Sequence, residues 1–133
     1  MPLSGVNDKG YETLFGTSPA VPGPDAAASP MDIVLESLAA CSMMDILSIL
    51  KKMKREPLGL ETSLDAERAE SYPKVFTSIR VHYRLHCPGC TMQELEKAVT
   101  LSMEKYCSVG AMLKASGCSI HWTAELVSSE TLP

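Results

Sequence analysis

The sequence predicts an α+β domain, and three observations carry that reading. A long, almost wholly apolar helical stretch opens with capping residues at Ser29-Pro30-Met31-Asp32. Two segments of strict period-two alternation follow it. A capped amphipathic helix and a last alternating strand then close the chain. Runs of this order place helices against an antiparallel sheet.

Residues 1–28 are weakly patterned. Tyr11 to Phe15 reads as one short strand, and Gly16 to Ala28, rich in proline, glycine and alanine, as a loop. Ser29 can cap a helix, Pro30 suits its first position, and Asp32 completes a capping box and meets the helix dipole. Lys51, Lys52, Lys54 and Arg55 favour a C-terminus near Arg55, and Pro57 stops the helix. Its apolar residues cover most of the circumference, which predicts a central helix.

Leu58, Leu60, Thr62, Leu64 and Ala66 share one face of the next segment. Val75, Thr77, Ile79, Val81, Tyr83 and Leu85 share one face of the segment after Ser71-Tyr72-Pro73. These two form an antiparallel pair, each with one wet face. Thr91 and Glu94 form a second capping box, for a helix over 92–105. Cys107 opens a short helix that ends at Gly117. Cys118, Ile120, Trp122, Ala124 and Leu126 alternate with polar residues, including His121 on the wet face, in a last strand. A polar tail follows.

The chain of 133 residues predicts a single domain over 1–133, with a weakly patterned segment at 1–28 and a core at 29–127. Only 5% of residues are aromatic while methionines number 8, which predicts an aliphatic, thioether-rich core. A net charge of −4 leaves no basic face for nucleic acid. The first residues have neither the charge nor the apolar run of a signal peptide. Asp32, Glu36 and Asp45 argue against reading 31–50 as a membrane span. An odd set of 5 cysteines lacks the look of a disulfide framework and suits a reducing cytoplasm.

The cysteines are the candidate chemistry. Cys41 alone, on an apolar helix, reads as a small buried hydrophobe. Cys87-Pro88-Gly89-Cys90 between a strand and a helix reads foremost as thiols at a turn. It also has the pattern of a redox dithiol or half a zinc site, for which His82, His86 or Cys118 would have to converge. No second ligand pair stands at zinc spacing, so neither a metal nor a cofactor is expected. Glu36 and Asp45 read as structural carboxylates.

Ser-Pro-Met-Asp with Leu-Ala-Ala-Cys41-Ser, and Glu-Lys-Tyr-Cys107-Ser-Val, resemble the osmotically inducible protein C / organic hydroperoxide resistance (OsmC/Ohr) family over 29–127. The resemblance implies an intertwined homodimer with the cysteine-bearing helices at its interface. It also implies a stress-response peroxidase in which Cys41 attacks an organic hydroperoxide and Cys107 resolves the sulfenic acid as a disulfide. A dithiol of the dihydrolipoyl type would then be the reductant. Active members also use an N-terminal arginine and a glutamate about ten residues before the first cysteine. Here Met31 stands at that glutamate position, beside Asp32, and no arginine precedes Arg55. Two readings follow: a thiol-dependent hydroperoxide reductase, or a non-catalytic protein of the same fold that binds a small apolar ligand at the dimer cleft.

Overall fold

The computed structural model describes residues 3–16 and 26–128. Most of the expected 16–28 loop and the end of the polar tail lie outside them. The contacts group into two units, 1–37 and 38–133. In the first, β1 (Leu3–Val6) and β2 (Glu12–Phe15) form an antiparallel hairpin in register from Leu3 with Phe15 to Val6 with Glu12. Asn7 makes the turn, its Oδ1 accepting from the amides of Lys9 and Tyr11. Gly16 donates to the Ala28 carbonyl at 2.8 Å, and a Cβ on Gly16 would collide with the Ala27 carbonyl. The predicted strand is β2. Its partner β1 has four residues with Ser-Gly at its centre, too short and mixed to show a period.

Helix α1 (Pro30–Lys52) begins at the predicted box. The Asp32 amide donates to Ser29 Oγ at 3.2 Å, and the Ser29 amide donates to Asp32 Oδ2 at 3.3 Å. The helix stops three residues short of Arg55, because Lys54 turns left-handed at φ 62°. Lys54 N–H bonds the Lys51 carbonyl and Arg55 N–H the Leu50 carbonyl, the paired bonds of a Schellman ending.

In the second unit, Leu38, Ser42, Ile46 and Leu50 form one fully buried stripe at intervals of four. The rest of that helix is only partly covered within the chain, and Met44 is 72% exposed. Within this unit the chain therefore covers one side of the helix and leaves the rest of its apolar circumference partly open. By length and composition α1 could cross a membrane. Asp45 in its middle, however, accepts a hydrogen bond from Ser102, and its buried stripe packs inside the unit.

The sheet runs β3-β4-β5. β3 (Gly59–Arg68) pairs antiparallel with β4 (Phe76–His86), as the alternation predicts, whereas β5 (Ser119–Leu126) lies parallel to β4. The sheet is mixed rather than antiparallel, because two helices carry the chain from the end of β4 back to its start. Ile79, Val81, Tyr83 and Leu85 of the central strand are buried, each flanked by apolar or small residues of β3 and β5. Burying aliphatic groups of this size stabilises by roughly 1.5–3 kcal/mol each.

Three expected inward positions are corrected. A bulge at Glu67/Arg68 shifts the register so that Phe76 is buried, while Val75 is 48% exposed and Thr77 faces water. Leu58 precedes the strand and is 67% exposed.

The Thr91–Glu94 capping box is present and opens α2 (Met92–Leu101). From Ser102 to Tyr106 the helix widens into a π-helical turn, closed by Cys107 N–H on the Ser102 carbonyl at 2.7 Å. The expected single helix to Lys105 therefore ends in a wider turn. Lys114 Nζ bonds the Met103 carbonyl at 2.8 Å. α3 (Ser108–Ala115) ends in a second Schellman pair, here with Gly117 at φ 97°.

Candidate functional site

The middle of α1 presents Cys41 and Ser42, and the junction between the π-helical turn and α3 presents Cys107. Although far apart in sequence, the two predicted site cysteines come together, close enough for Cys41 to act on the Cys107 thiol. Cys41 is half-buried and Cys107 is 3% exposed. Cys107 is the N-cap of α3, and its Sγ accepts from the Gly110 amide at 3.4 Å. A Cβ on Gly110 would sit 3.4 Å from that sulfur and 3.6 Å from Leu38 Cδ1, so the glycine leaves space beside the thiol.

Hydroxyls and one carboxylate surround the pair. Tyr83 Oη donates to Ser42 Oγ at 2.6 Å, and Ser42 Oγ donates to the Ala39 carbonyl at 3.0 Å. Ser102 Oγ donates to Asp45 Oδ2 at 2.9 Å and lies 3.4 Å from the Ser42 carbonyl oxygen. Burial pushes the Cys107 thiol up to about 11; the Gly110 amide opposes this, while Cys41 and Asp45 add to it. The charged neighbours that act on Cys107 thus disfavour its thiolate, and at neutral pH it is a thiol. Burial also raises Tyr83, which stays a neutral donor. Asp45, one turn beyond Cys41, was legible as a helix carboxylate. Nothing in the sequence ties Tyr83 or Ser102 to the cysteines.

Cys87 and Cys90 make a second thiol cluster. The Cys90 amide donates to the Cys87 carbonyl at 3.0 Å across Pro88 and Gly89, with Gly89 at φ 84°. Proline second and a left-handed glycine third are what a type II turn requires. Both cysteines are buried, and Cys87 acts directly on the Cys90 thiol. Burial first, then Cys87, pushes Cys90 up to about 11, with Arg55 opposing. Arg55 Nε pairs with Glu94 Oε2 at 3.0 Å and draws that carboxyl down, after the Thr91 amide.

The residues that would complete a zinc site do not converge. His82 bonds Thr123 Oγ1 at 2.6 Å and Glu125 Oε1 at 3.1 Å on the sheet. Among the described residues no group of three or more His, Cys, Asp or Glu could hold a metal.

Residues 23–123 match the family model described as OsmC-like protein. The chain belongs to the OsmC-like family. The OsmC-like chain is 40% identical over 90 residues to Protein YhfA of Escherichia coli K12, covering 68% of this chain and 67% of that one. A crystal structure of a hypothetical protein from Aquifex aeolicus superposes with TM-score 0.75 at 31% identity, covering 96% of this chain and 89% of that one. An organic hydroperoxide resistance protein OsmC from Legionella pneumophila superposes with TM-score 0.62 at 15% identity, covering 94% and 95%, a likeness of fold. The α+β fold expected from the sequence is thus the OsmC fold.

Proposed function

We propose that this OsmC-like chain is a thiol-dependent reductase of organic hydroperoxides, with Cys41 and Cys107 as its working pair. The observation that carries the reading is the approach of the Cys107 thiol, beside Gly110 and Leu38, to Cys41 one turn along α1. A fold neighbour called an organic hydroperoxide resistance protein supports it. The Cys41 thiolate attacks the terminal peroxide oxygen and becomes a sulfenic acid, and the alkoxide leaves as an alcohol. Cys107 then attacks that sulfur. Its proton leaves with the sulfenic hydroxyl as water, and the thiolate so released is the form that attacks, one that burial makes costly for Cys107. An external dithiol reduces the disulfide by exchange.

The reading includes a homodimer, supported by the poorly covered face of α1 around Met44. A reducing cytoplasm is supported by 5 free cysteines.

One observation favours a second reading, a non-catalytic protein that binds a small apolar ligand. The side chains that act on Cys107, Cys41 and Asp45 among them, include no cation to stabilise a thiolate. The two readings separate in one experiment. Pre-reduced protein is mixed with tert-butyl hydroperoxide, and peroxide loss is measured for the native chain, Cys41→Ser and Cys107→Ser. The reductase reading expects one equivalent consumed with a Cys41–Cys107 disulfide formed, none consumed by Cys41→Ser, and a trapped sulfenic acid in Cys107→Ser. Unchanged peroxide with the native chain overturns it and leaves the binding reading.

A further inference from the structure

The proposed peroxide cycle leaves Cys87 and Cys90 unused. They begin and end one β-turn, which holds its outer Cα atoms within about 7 Å, the separation that a disulfide spans. The hydrogen bond from the Cys90 amide to the Cys87 carbonyl fixes the turn, and each thiol lies near enough to act on the other. Pro88 and Gly89 are exposed, so the two sulfurs lie one layer beneath solvent. The turn is braced from outside the dithiol. The Arg55 guanidinium, delivered by the Schellman ending of α1, stands 3.7 Å from where a Gly89 Cβ would be and is anchored to Glu94.

We infer that Cys87 and Cys90 are a second redox centre, a dithiol that exchanges with an incoming disulfide substrate and closes to a disulfide within its own turn. One thiolate attacks a sulfur of the incoming disulfide, which releases the first substrate thiol and leaves a mixed disulfide. The second cysteine displaces the remaining half, releasing the second thiol. Two electrons and two protons pass to the substrate, and one intramolecular S–S bond forms.

Arg55 decides between this chemistry and metal binding. A fixed cation over the turn repels a metal ion, and no third ligand joins the two sulfurs among the described residues. The same cation favours the thiolate needed for exchange, against burial and the Glu94 carboxylate with which it is paired. Arg55 is a positioning residue here, since it acts through the thiols.

The centre is tested on the full chain with Cys41→Ser, Cys107→Ser and Cys118→Ser, and in parallel on the native chain. Each is equilibrated in buffers of reduced and oxidised glutathione, quenched in acid, alkylated and digested with trypsin. Residues 85–97 form one peptide that carries both thiols, separate from the peptides of Cys41 and Cys107. As the oxidised share rises, this peptide should lose two hydrogens in a single transition while circular dichroism stays native. Cys90→Ser should abolish the internal bond and leave Cys87 alkylated or carrying one glutathione. Arg55→Gln should slow exchange about three- to tenfold and move its pH profile upward. If residues 85–97 stay fully alkylated in every buffer in which the native chain is folded, or oxidise only once it unfolds, the proposal is overturned. The native-chain measurement decides this even if the triple variant fails to fold.

Discussion

Replacing Ser42 by alanine should destabilise the protein more than replacing its partner Tyr83 by phenylalanine. The two hydroxyls meet at 2.6 Å, and both residues are fully buried. Their hydrogen-bonding roles are unequal. Ser42 Oγ also donates to the Ala39 carbonyl at 3.0 Å, so it keeps a partner in Tyr83→Phe. The net loss there is one hydrogen bond, about 1 kcal/mol or less. In Ser42→Ala the Tyr83 hydroxyl stays buried without its acceptor, which costs about 1–3 kcal/mol. Alanine returns about 0.5 kcal/mol as the better helix former. The expected net loss is therefore about 0.5–2.5 kcal/mol, or roughly 2–9 °C for a chain of this length. In the double variant no hydroxyl is orphaned, so it should be more stable than Ser42→Ala alone. Urea unfolding followed by circular dichroism gives all the values, with equal slopes as the check on two-state behaviour. Additive losses, or a Tyr83→Phe loss larger than that of Ser42→Ala, would refute the reasoning.

Lys54→Gly should stabilise by about 1 kcal/mol in the same urea assay, because the left-handed C′ position penalises a side chain that Gly117 lacks at the matching place in α3. Burial raises Cys90, Cys107 and Cys118 above their ordinary values, the first two to about 11. Their thiol forms are favoured by folding, so their contribution is complete below about pH 8.5 and is lost as pH rises toward their folded values. Stability against pH should fall across that alkaline window, and less so in Cys107→Ser. Met44→Lys should turn the dimer into monomer in light scattering at micromolar concentration, provided that the interface buries more than about 2,000 Å²; a native chain that is already monomeric would remove the dimer from the reading.

Much of the fold was legible because local chemistry decides it. Ser29 with Asp32, and Thr91 with Glu94, announce two helix starts, and both boxes form. Alternation from Ile79 to Leu85 announces a core strand, and that stretch is buried. What stayed hidden depends on the partner rather than the segment. Side-chain alternation is the same in parallel and antiparallel strands, so the direction of β5 beside β4 left no trace. The bulge that buries Phe76 is a mismatch between two strands and is written in neither alone. Lysine at position 54 signalled a nearby helix end only by its charge, and the left-handed turn that a glycine would have marked stayed hidden. The Cys41–Cys107 approach was implied only by family resemblance, and the hydroxyls of Tyr83 and Ser102 beside it needed the tertiary fold.

The π-helical turn at Ser102–Tyr106 makes the placement of Cys107 a matter of counting. A π turn takes one residue more than an α turn to come round, so it absorbs an extra residue while returning the chain to the same face. Cys107 reaches Cys41 with that extra residue in place, and its own amide closes the turn on Ser102. Deleting one residue from 104–106 would let the turn close as ordinary α-helix, with the cysteine amide still on the Ser102 carbonyl, now four residues back. A further inserted residue has no wider turn to absorb it and would swing the thiol by about 100° around the axis, away from its partner. The segment thus tolerates a change of length in one direction only: the cysteine pair survives the loss of a codon here and is broken by the gain of one.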